Sequence, residues 1–300
     1  MEIKKAGAKS ISDKGFDIVN YIFLGLIFLI VIYPLFYILI ASVSNPYDVY
    51  VGKTFLLPSG FTLEGYKRIF SEKMISKGYL NSIVYTGLGT FISTVLVIIT
   101  AYPLSRPTLP GKKIIMIFYV ITMYFGGGLI PTYLVVSKLH MINSLWALIL
   151  PGGVAVYSVI ISRTFFTHSI PESLYDAAAI DGSSNMRTFL KIVLPLSKPL
   201  IAVMAIYAMV AYWNDWFTAL IYLPSSYKAP LQLVLRQILI ESQALANMMS
   251  GMDGGYAEAN RITELIKFTS IVVASAPMLI IYPFVQKYFD KGMTIGAVKG

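Results

Sequence analysis

The chain has 300 residues, of which 56% are hydrophobic and 13% are charged, and its mean hydropathy is +0.70. Soluble domains carry roughly 25% charged residues, so the composition excludes an ordinary soluble domain and predicts a membrane protein. The formal net charge is +9, but the basic residues flank apolar runs, which argues against a nucleic-acid-binding face. The absence of cysteine excludes disulfides, a thiol nucleophile and a cysteine-ligated metal.

Six apolar runs follow one another along the chain. A helix rises about 1.5 Å per residue, so about 20 residues cross the hydrocarbon core of a bilayer. The first run is longer than the apolar core of about 7–15 residues in a secretory signal, so we expect a retained span. We predict an all-α, polytopic membrane protein with one domain over residues 1–300. Its expected spans are about 18–43, 79–104, 114–136, 144–162, 199–223 and 264–286.

The third run contains Gly126, Gly127, Gly128 and Pro131. Each glycine weakens a helix by about 1 kcal/mol relative to alanine. Two interpretations remain open for this stretch, namely a bend near a transport path and a site of tight helix packing.

A polar loop lies between the fourth and fifth runs, at about residues 169–197, and its sequence predicts helix, turn, helix. Ser169 and Glu172 have capping-box spacing, which favours a helix to about Ile180. The Asp181-Gly182 pair indicates a turn. The second helix is expected to carry one apolar stripe, formed by Met186, Phe189, Leu190, Val193 and Leu194.

The distribution of basic residues predicts the orientation. With six spans, the side that holds both termini carries 14 Lys and Arg residues and the other side carries nine. Short cytoplasmic loops are enriched in Lys and Arg. Both termini and the 169–197 loop are therefore predicted to be cytoplasmic.

The polar loop resembles a motif of the inner-membrane permease subunits of bacterial ABC importers. That family shares the pattern EAA, three residues, Gly, nine residues, Ile-x-Leu-Pro. The matching positions here are Ala177, Ala178, Gly182, Ile192, Leu194 and Pro195. Asp176 stands where the family usually has Glu, and Asp181 before Gly182 is similar to the carbohydrate-importer version of the loop.

The resemblance implies a coupling role for this loop. Contact with a separate ATPase would be made by Asp176, Ala177, Ala178, Asp181 and Gly182. The implied partners are a second homologous permease, two copies of the ATPase, and an extracellular or periplasmic solute-binding protein. ATP and Mg would bind to the ATPase, and this chain would bind no cofactor or metal. The implied location is the bacterial plasma (inner) membrane.

The fifth run contains Trp213, Asn214, Asp215 and Trp216. Ionisable groups at membrane depth are costly and usually functional, and aromatic faces beside a carboxylate and an amide suit a sugar. We therefore predict that these four residues line or border a substrate path. The alternative is an interfacial aromatic belt, because Trp favours that depth.

Further segments resemble the branch of this family that handles complex oligosaccharides, similar to the maltose-type second permease. They read GGGLIPTYLVV, PLQLVLRQIL and YPFVQKYFDKGMTIGAVKG. The sequence has no Walker A motif and no His-Glu-x-x-His motif, so we expect a transport subunit and not an enzyme. Two alternatives remain, an importer permease for amino acids, peptides or phosphate, and a secondary transporter or channel that works without an ATPase.

Overall fold

The structure, a computed structural model, describes residues 11–248 and 255–297, with side chains at 14–248 and 260–283. Every regular element in these two ranges is helical, as the sequence predicts. The basic stretch at residues 1–10 and the chain end at 298–300 lie outside the described residues.

The helices follow one another in this order: α1 (Ile11–Ser42), α2 (Pro46–Tyr50), α3 (Glu64–Ser71), α4 (Lys73–Ser105), α5 (Lys112–Tyr124), α6 (Leu129–Lys138), α7 (Trp146–Ile149), α8 (Val156–His168), α9 (Glu172–Ile180), α10 (Asn185–Thr188), a π-helical turn (Phe189–Val193), α11 (Leu194–Leu196), α12 (Lys198–Asn214), α13 (Phe217–Tyr222), a 3-10 turn (Ser226–Lys228), α14 (Leu231–Met248) and α15 (Gly255–Ala297).

One compact unit comprises the chain up to Ser71 together with Leu239–Val273. Within this unit the Tyr37 and Phe268 rings meet edge to face at 5.8 Å. The guanidinium of Arg261 donates to the Glu64 carboxylate at 2.8 Å. No residue in the most apolar window of α1 is buried among the described residues, which suits a helix surrounded by lipid or by helices of another subunit.

The second unit comprises Glu72–Ile238 and the chain from Ala274 onward. Helix α4 packs along α12 and α8. The approach to α12 is close because Gly89 on α4 faces the Tyr212 ring, from which an added Cβ would lie only 2.8 Å away. The core between these three helices contains Val97, Ile98, Ala101, Leu104, Val159, Phe166, Leu200 and Met204.

The number of membrane crossings predicted from the sequence, six, is not confirmed and stays a prediction. In the described residues three helical segments are long and apolar enough to cross a membrane, namely Lys14–Ser42, Lys73–Ser105 and Asn260–Pro283. Two bent helix pairs raise this to at most five. They are Lys112–Tyr124 with Leu129–Lys138, bent by 115°, and Asn185–Leu196 with Lys198–Asn214, bent by 78°.

Three of the six predicted spans are interrupted in the structure. The stretch 144–162 forms α7 and the first part of α8, with a break at residues 150–155 between them. The stretch 199–223 is also interrupted, because α12 ends at Asn214 and α13 begins at Phe217. Asp215 lies in this break, and its backbone is extended, with φ −78° and ψ 91°.

The glycine run of the third predicted span forms the 115° bend between α5 and α6. Gly128 has a φ of +85°, a conformation that glycine adopts without steric cost. A Cβ at Gly126 or Gly128 would meet no atom of the described residues within 4 Å. The bend is therefore present, while its place near a transport path stays a prediction, and packing against the described residues does not explain Gly126 or Gly128.

Candidate functional site

The polar loop between α8 and α12 forms helix, turn, helix. We call residues 172–196 the coupling hairpin after the role predicted from the sequence, which stays a prediction. Its first helix, α9, ends at Ile180, the predicted boundary. The predicted capping box is wrong. The N-cap is Pro171, without a side-chain cap, and the Glu172 carboxylate bonds the Arg106 guanidinium instead. A charge-assisted fork of two hydrogen bonds is stronger than a single bond to a backbone N–H.

The turn of the hairpin depends on Gly182, which has a φ of +67°. The Gly182 N–H donates to the Ala179 carbonyl at 3.0 Å, and the Ser183 N–H donates to the Ala178 carbonyl at 2.8 Å. These two bonds form a Schellman motif, which satisfies the last carbonyls of α9. The Ser184 hydroxyl then accepts from the Arg187 N–H and begins the second helix.

The apolar stripe predicted for the second helix is divided between two faces. Phe189 and Val193 are buried, whereas Met186 and Leu190 are exposed. The prediction assumed 3.6 residues per turn throughout. The turn at Phe189–Val193 is a π-helix, whose wider turn shifts the following side chains around the axis.

The coupling hairpin is anchored by aromatic side chains that enter the core of the second unit. Tyr175 from α9 and Phe189 from the π turn both join the core cluster. The Phe189 ring lies 4.5 Å from the Tyr102 ring of α4, and the Tyr102 ring meets Phe166 edge to face at 5.8 Å. The hairpin is therefore attached to α4 and α8 through contacts between aromatic rings.

The outward face of α9 carries most of the residues predicted to contact a partner. Asp176, Ala177, Asp181 and Gly182 are exposed. Ala178 was also expected on this face, but it is only 4% exposed. It follows Tyr175 by three residues, which places both side chains on the inner face of the helix.

The sequence analysis missed Ile180, whose side chain is 86% exposed at the end of α9. Ile180 lies five residues after Tyr175 and two after Ala178. At about 100° per residue it therefore lies on the side of the helix away from both. A helical wheel with Tyr175 on the buried side would have placed Ile180 on the exposed side.

A cavity of about 550 Å³ lies in the second unit among α4, α6, α8, α12 and α13. Much of its lining is apolar, and its polar groups are hydroxyls, one amide and one carboxylate. The polar lining residues are Ser93, Thr94, Thr132, Ser158, Tyr207, Tyr212, Asn214, Asp215, Thr218 and Tyr222. Thr132 comes from α6, so the bent α5–α6 pair contributes to this cavity.

The structure separates the four residues predicted to line a substrate path. Asn214 and Asp215 line the cavity. The Asp215 carboxylate accepts from the Thr218 N–H at 3.0 Å and so caps α13. Trp213 is 3% exposed and donates its indole N–H to the Ala274 carbonyl at 3.0 Å, away from the cavity lining. The ring of Trp216 is covered by the Arg236 guanidinium at 4.1 Å.

The described residues include no group of three or more His, Cys, Asp or Glu side chains that could hold a metal ion. The polar groups in the cavity are hydroxyls, one amide and one carboxylate, and the hairpin presents an exposed helix face.

Comparison with known proteins gives consistent matches over most of the chain. The family model described as binding-protein-dependent transport system inner membrane component matches residues 78–295. The polygalacturonan/rhamnogalacturonan transport system permease protein YtcP of Bacillus subtilis is 43% identical over 96% of this chain and 99% of its own length. Protein LplC of Bacillus subtilis is 40% identical over 96% of each chain.

A solved structure is also similar. It is a bacterial ABC transporter involved in the import of the acidic polysaccharide alginate, with a TM-score of 0.81 and 29% sequence identity. The match covers 95% of this chain and 100% of that chain.

Proposed function

Because the chain belongs to the family of binding-protein-dependent transport system inner membrane components, we propose that it is the permease subunit of an ATP-driven oligosaccharide importer. Several of its relatives are named for saccharide transport, including polygalacturonan/rhamnogalacturonan and maltodextrin permeases. Importers of amino acids, peptides or phosphate, and ATPase-independent transporters or channels, are not favoured by these relatives.

The partners of the proposed importer are a second homologous permease, two copies of an ATPase that binds ATP and Mg, and an extracellular or periplasmic solute-binding protein. The site of action is the bacterial plasma membrane, with both termini and the coupling hairpin on the cytoplasmic side. The basic residues near the predicted span ends support this orientation.

The observation that carries the proposal is the outward face of the coupling hairpin. A structured helix with the exposed residues Asp176, Ala177, Ile180 and Asp181 is held by a Gly182 turn and anchored by buried rings. Burying an exposed isoleucine side chain contributes about 1.5–3 kcal/mol. Ile180 would thus be the apolar anchor of the contact, and the small Ala177 side chain would let the ATPase approach closely.

The docking proposal is tested by Ile180→Glu. The variant should lose most of its co-purifying ATPase, because a glutamate at the anchor position would have to be buried without a partner. Thr108→Glu is the matched control, since it adds the same charge at an exposed position of the loop before α5, outside the coupling hairpin. Equal ATPase recovery from both variants and the unchanged protein would contradict docking through this face.

We further propose that the cavity bordered by Asn214 and Asp215 is this subunit's share of the saccharide path. Its hydroxyl, amide and carboxylate groups match the hydrogen-bonding groups of a sugar. The volume of about 550 Å³ lies within the range of small-molecule sites, roughly 300–1,000 Å³.

Asp215→Asn tests whether the Asp215 carboxylate contributes to the saccharide path, and it leaves the fold intact. An asparagine oxygen can still accept from the Thr218 N–H, so the cap of α13 is retained while the charge is lost. We expect oligosaccharide uptake to fall with normal assembly of the complex. Trp213→Phe is the control, because Trp213 lies outside the cavity lining. Normal uptake by Asp215→Asn would contradict a role for this carboxylate in the saccharide path.

A further inference from the structure

Arg106 joins two elements that are distant in sequence. It is the C-cap residue of α4, and its guanidinium reaches the first helix of the coupling hairpin. Nη2 lies 2.9 Å from Glu172 Oε1 and Nη1 lies 3.4 Å from Glu172 Oε2. The Arg106 Cζ atom also lies 3.5 Å from the centroid of the Tyr175 ring. One guanidinium therefore contacts both the first turn and the middle of α9.

The geometry fixes the orientation of α9 and not only its distance from α4. A guanidinium fork bonds a carboxylate in one plane, and stacking on a ring constrains a second direction. Burial raises the pKa of the Tyr175 phenol, and the Arg106 charge opposes that shift. The phenol is thus neutral near pH 7, and Arg106 interacts with it as a cation on a ring face.

The contact with the Tyr175 ring makes the interactions of Arg106 more stabilising than those of a surface ion pair. Glu172 is largely exposed, and exposed ion pairs contribute only about 0–1 kcal/mol. The Arg106 side chain, by contrast, is only 19% exposed, and Tyr175 is buried. The Lys112 ammonium further holds the loop by donating to the Arg106 carbonyl at 3.2 Å.

Helix α4 extends from this contact to the proposed sugar path. Thr94 and Ser93, which line the cavity, precede Arg106 by 12 and 13 residues. At about 1.5 Å per residue the separation is roughly 18 Å along one continuous helix. Pro103 lies within α4 three residues before Arg106, so a displacement of α9 that pulls on Arg106 would reach the wall of the cavity through the helix turn that contains this proline.

We propose that Arg106, with Glu172 and Tyr175, is the link that makes α4 follow α9, the first helix of the coupling hairpin. Arg106 is a positioning residue in this proposal, which rests on the proposed docking of α9 to an ATPase. Breaking the link leaves the hairpin attached through the Phe189 and Tyr102 rings. The complex should then still assemble and hydrolyse ATP, but each hydrolysis event should move less sugar.

The test compares Arg106→Gln with Lys113→Gln in the reconstituted importer. Both variants lose one positive charge from the segment between the end of α4 and the first turn of α5, and Lys113 is exposed. Three quantities are measured, namely the ATPase retained, the ATP hydrolysed when binding protein and sugar are present, and the sugar transported per ATP.

For Arg106→Gln we expect transport per ATP to fall by at least about fivefold, the low end of typical coupling between sites. ATPase retention and the Lys113→Gln control should stay within about twofold, as for an exposed charge. Arg106→Lys keeps a cation over Tyr175 but loses the fork, and it should recover part of the coupling. Glu172→Gln, at a largely exposed position, gives a second disruption that does not threaten folding.

Three results would overturn the link. One is unchanged transport per ATP in both Arg106→Gln and Glu172→Gln. Another is an equal loss in Lys113→Gln, and the third is ATPase loss in proportion to uptake, which would make Arg106 a docking residue only. Failure of the proposed function is recognised separately, because the unchanged protein would then retain no ATPase or transport no saccharide.

Discussion

The Gly182 turn permits a quantitative prediction for docking. A Cβ at this position would meet no atom of the described residues within 4 Å, so a substitution acts through the backbone alone. A φ of +67° in a residue with a side chain costs roughly 1–2 kcal/mol. If the turn must be formed for binding, Gly182→Val should weaken ATPase binding by about 5–30-fold, since about 1.4 kcal/mol corresponds to tenfold.

The assay is the apparent Kd of the purified ATPase for the permease in nanodiscs. Gly182→Asn is the matched control, because asparagine adopts the left-handed conformation more readily than valine. We expect Asn to bind the ATPase nearly as well as Gly, and Val to bind it much more weakly. Wild-type affinity for Gly182→Val, or equal losses for Asn and Val, would refute the claim that the left-handed turn presents the docking face.

Two further predictions concern packing and orientation. Gly89→Ala should lower the temperature of unfolding in detergent, because its Cβ would lie 2.8 Å from the Tyr212 ring and overpacking costs about 1–3 kcal/mol. Gly87→Ala should leave the temperature of unfolding unchanged, because its Cβ would meet no atom of the described residues within 4 Å. Equal shifts of this temperature in both variants would contradict the close approach of α4 and α12. For orientation, a cysteine at Ser226 should react with an impermeant thiol reagent in intact cells (or spheroplasts), and one at Ser183 should not. The sequence has no native cysteine to interfere. Labelling of the cysteine at position 183 from outside would contradict the predicted orientation.

The coupling hairpin could be predicted because its determinants are local. The helix end at Ile180 and the left-handed Gly182 depend on a few neighbouring residues, and the structure has both. The burial of Ala178 was also within reach of a helical wheel. The π turn at Phe189–Val193 was not, because it has no simple pattern of residue types.

The contacts that distinguish the sites are long-range and have no signature in the sequence. Arg106 meets Glu172 across 66 positions, and Trp213 meets Ala274 across 61. The second contact explains why Trp213 and Asn214, adjacent in the chain, have different surroundings. Hydropathy also missed the interruption at Asp215, because the stretches on both sides of the Asn214-Asp215 pair are apolar.

The central claim is that this chain transports saccharide only as part of an ATP-driven assembly. The most direct measurement is uptake of labelled oligosaccharide into proteoliposomes that contain this permease, its homologous partner permease, the ATPase and the solute-binding protein. Uptake should require ATP and should be lost when the permease carries Ile180→Glu. Saccharide uptake by this chain without the ATPase, or ATP-driven uptake that Ile180→Glu leaves unchanged, would contradict the account.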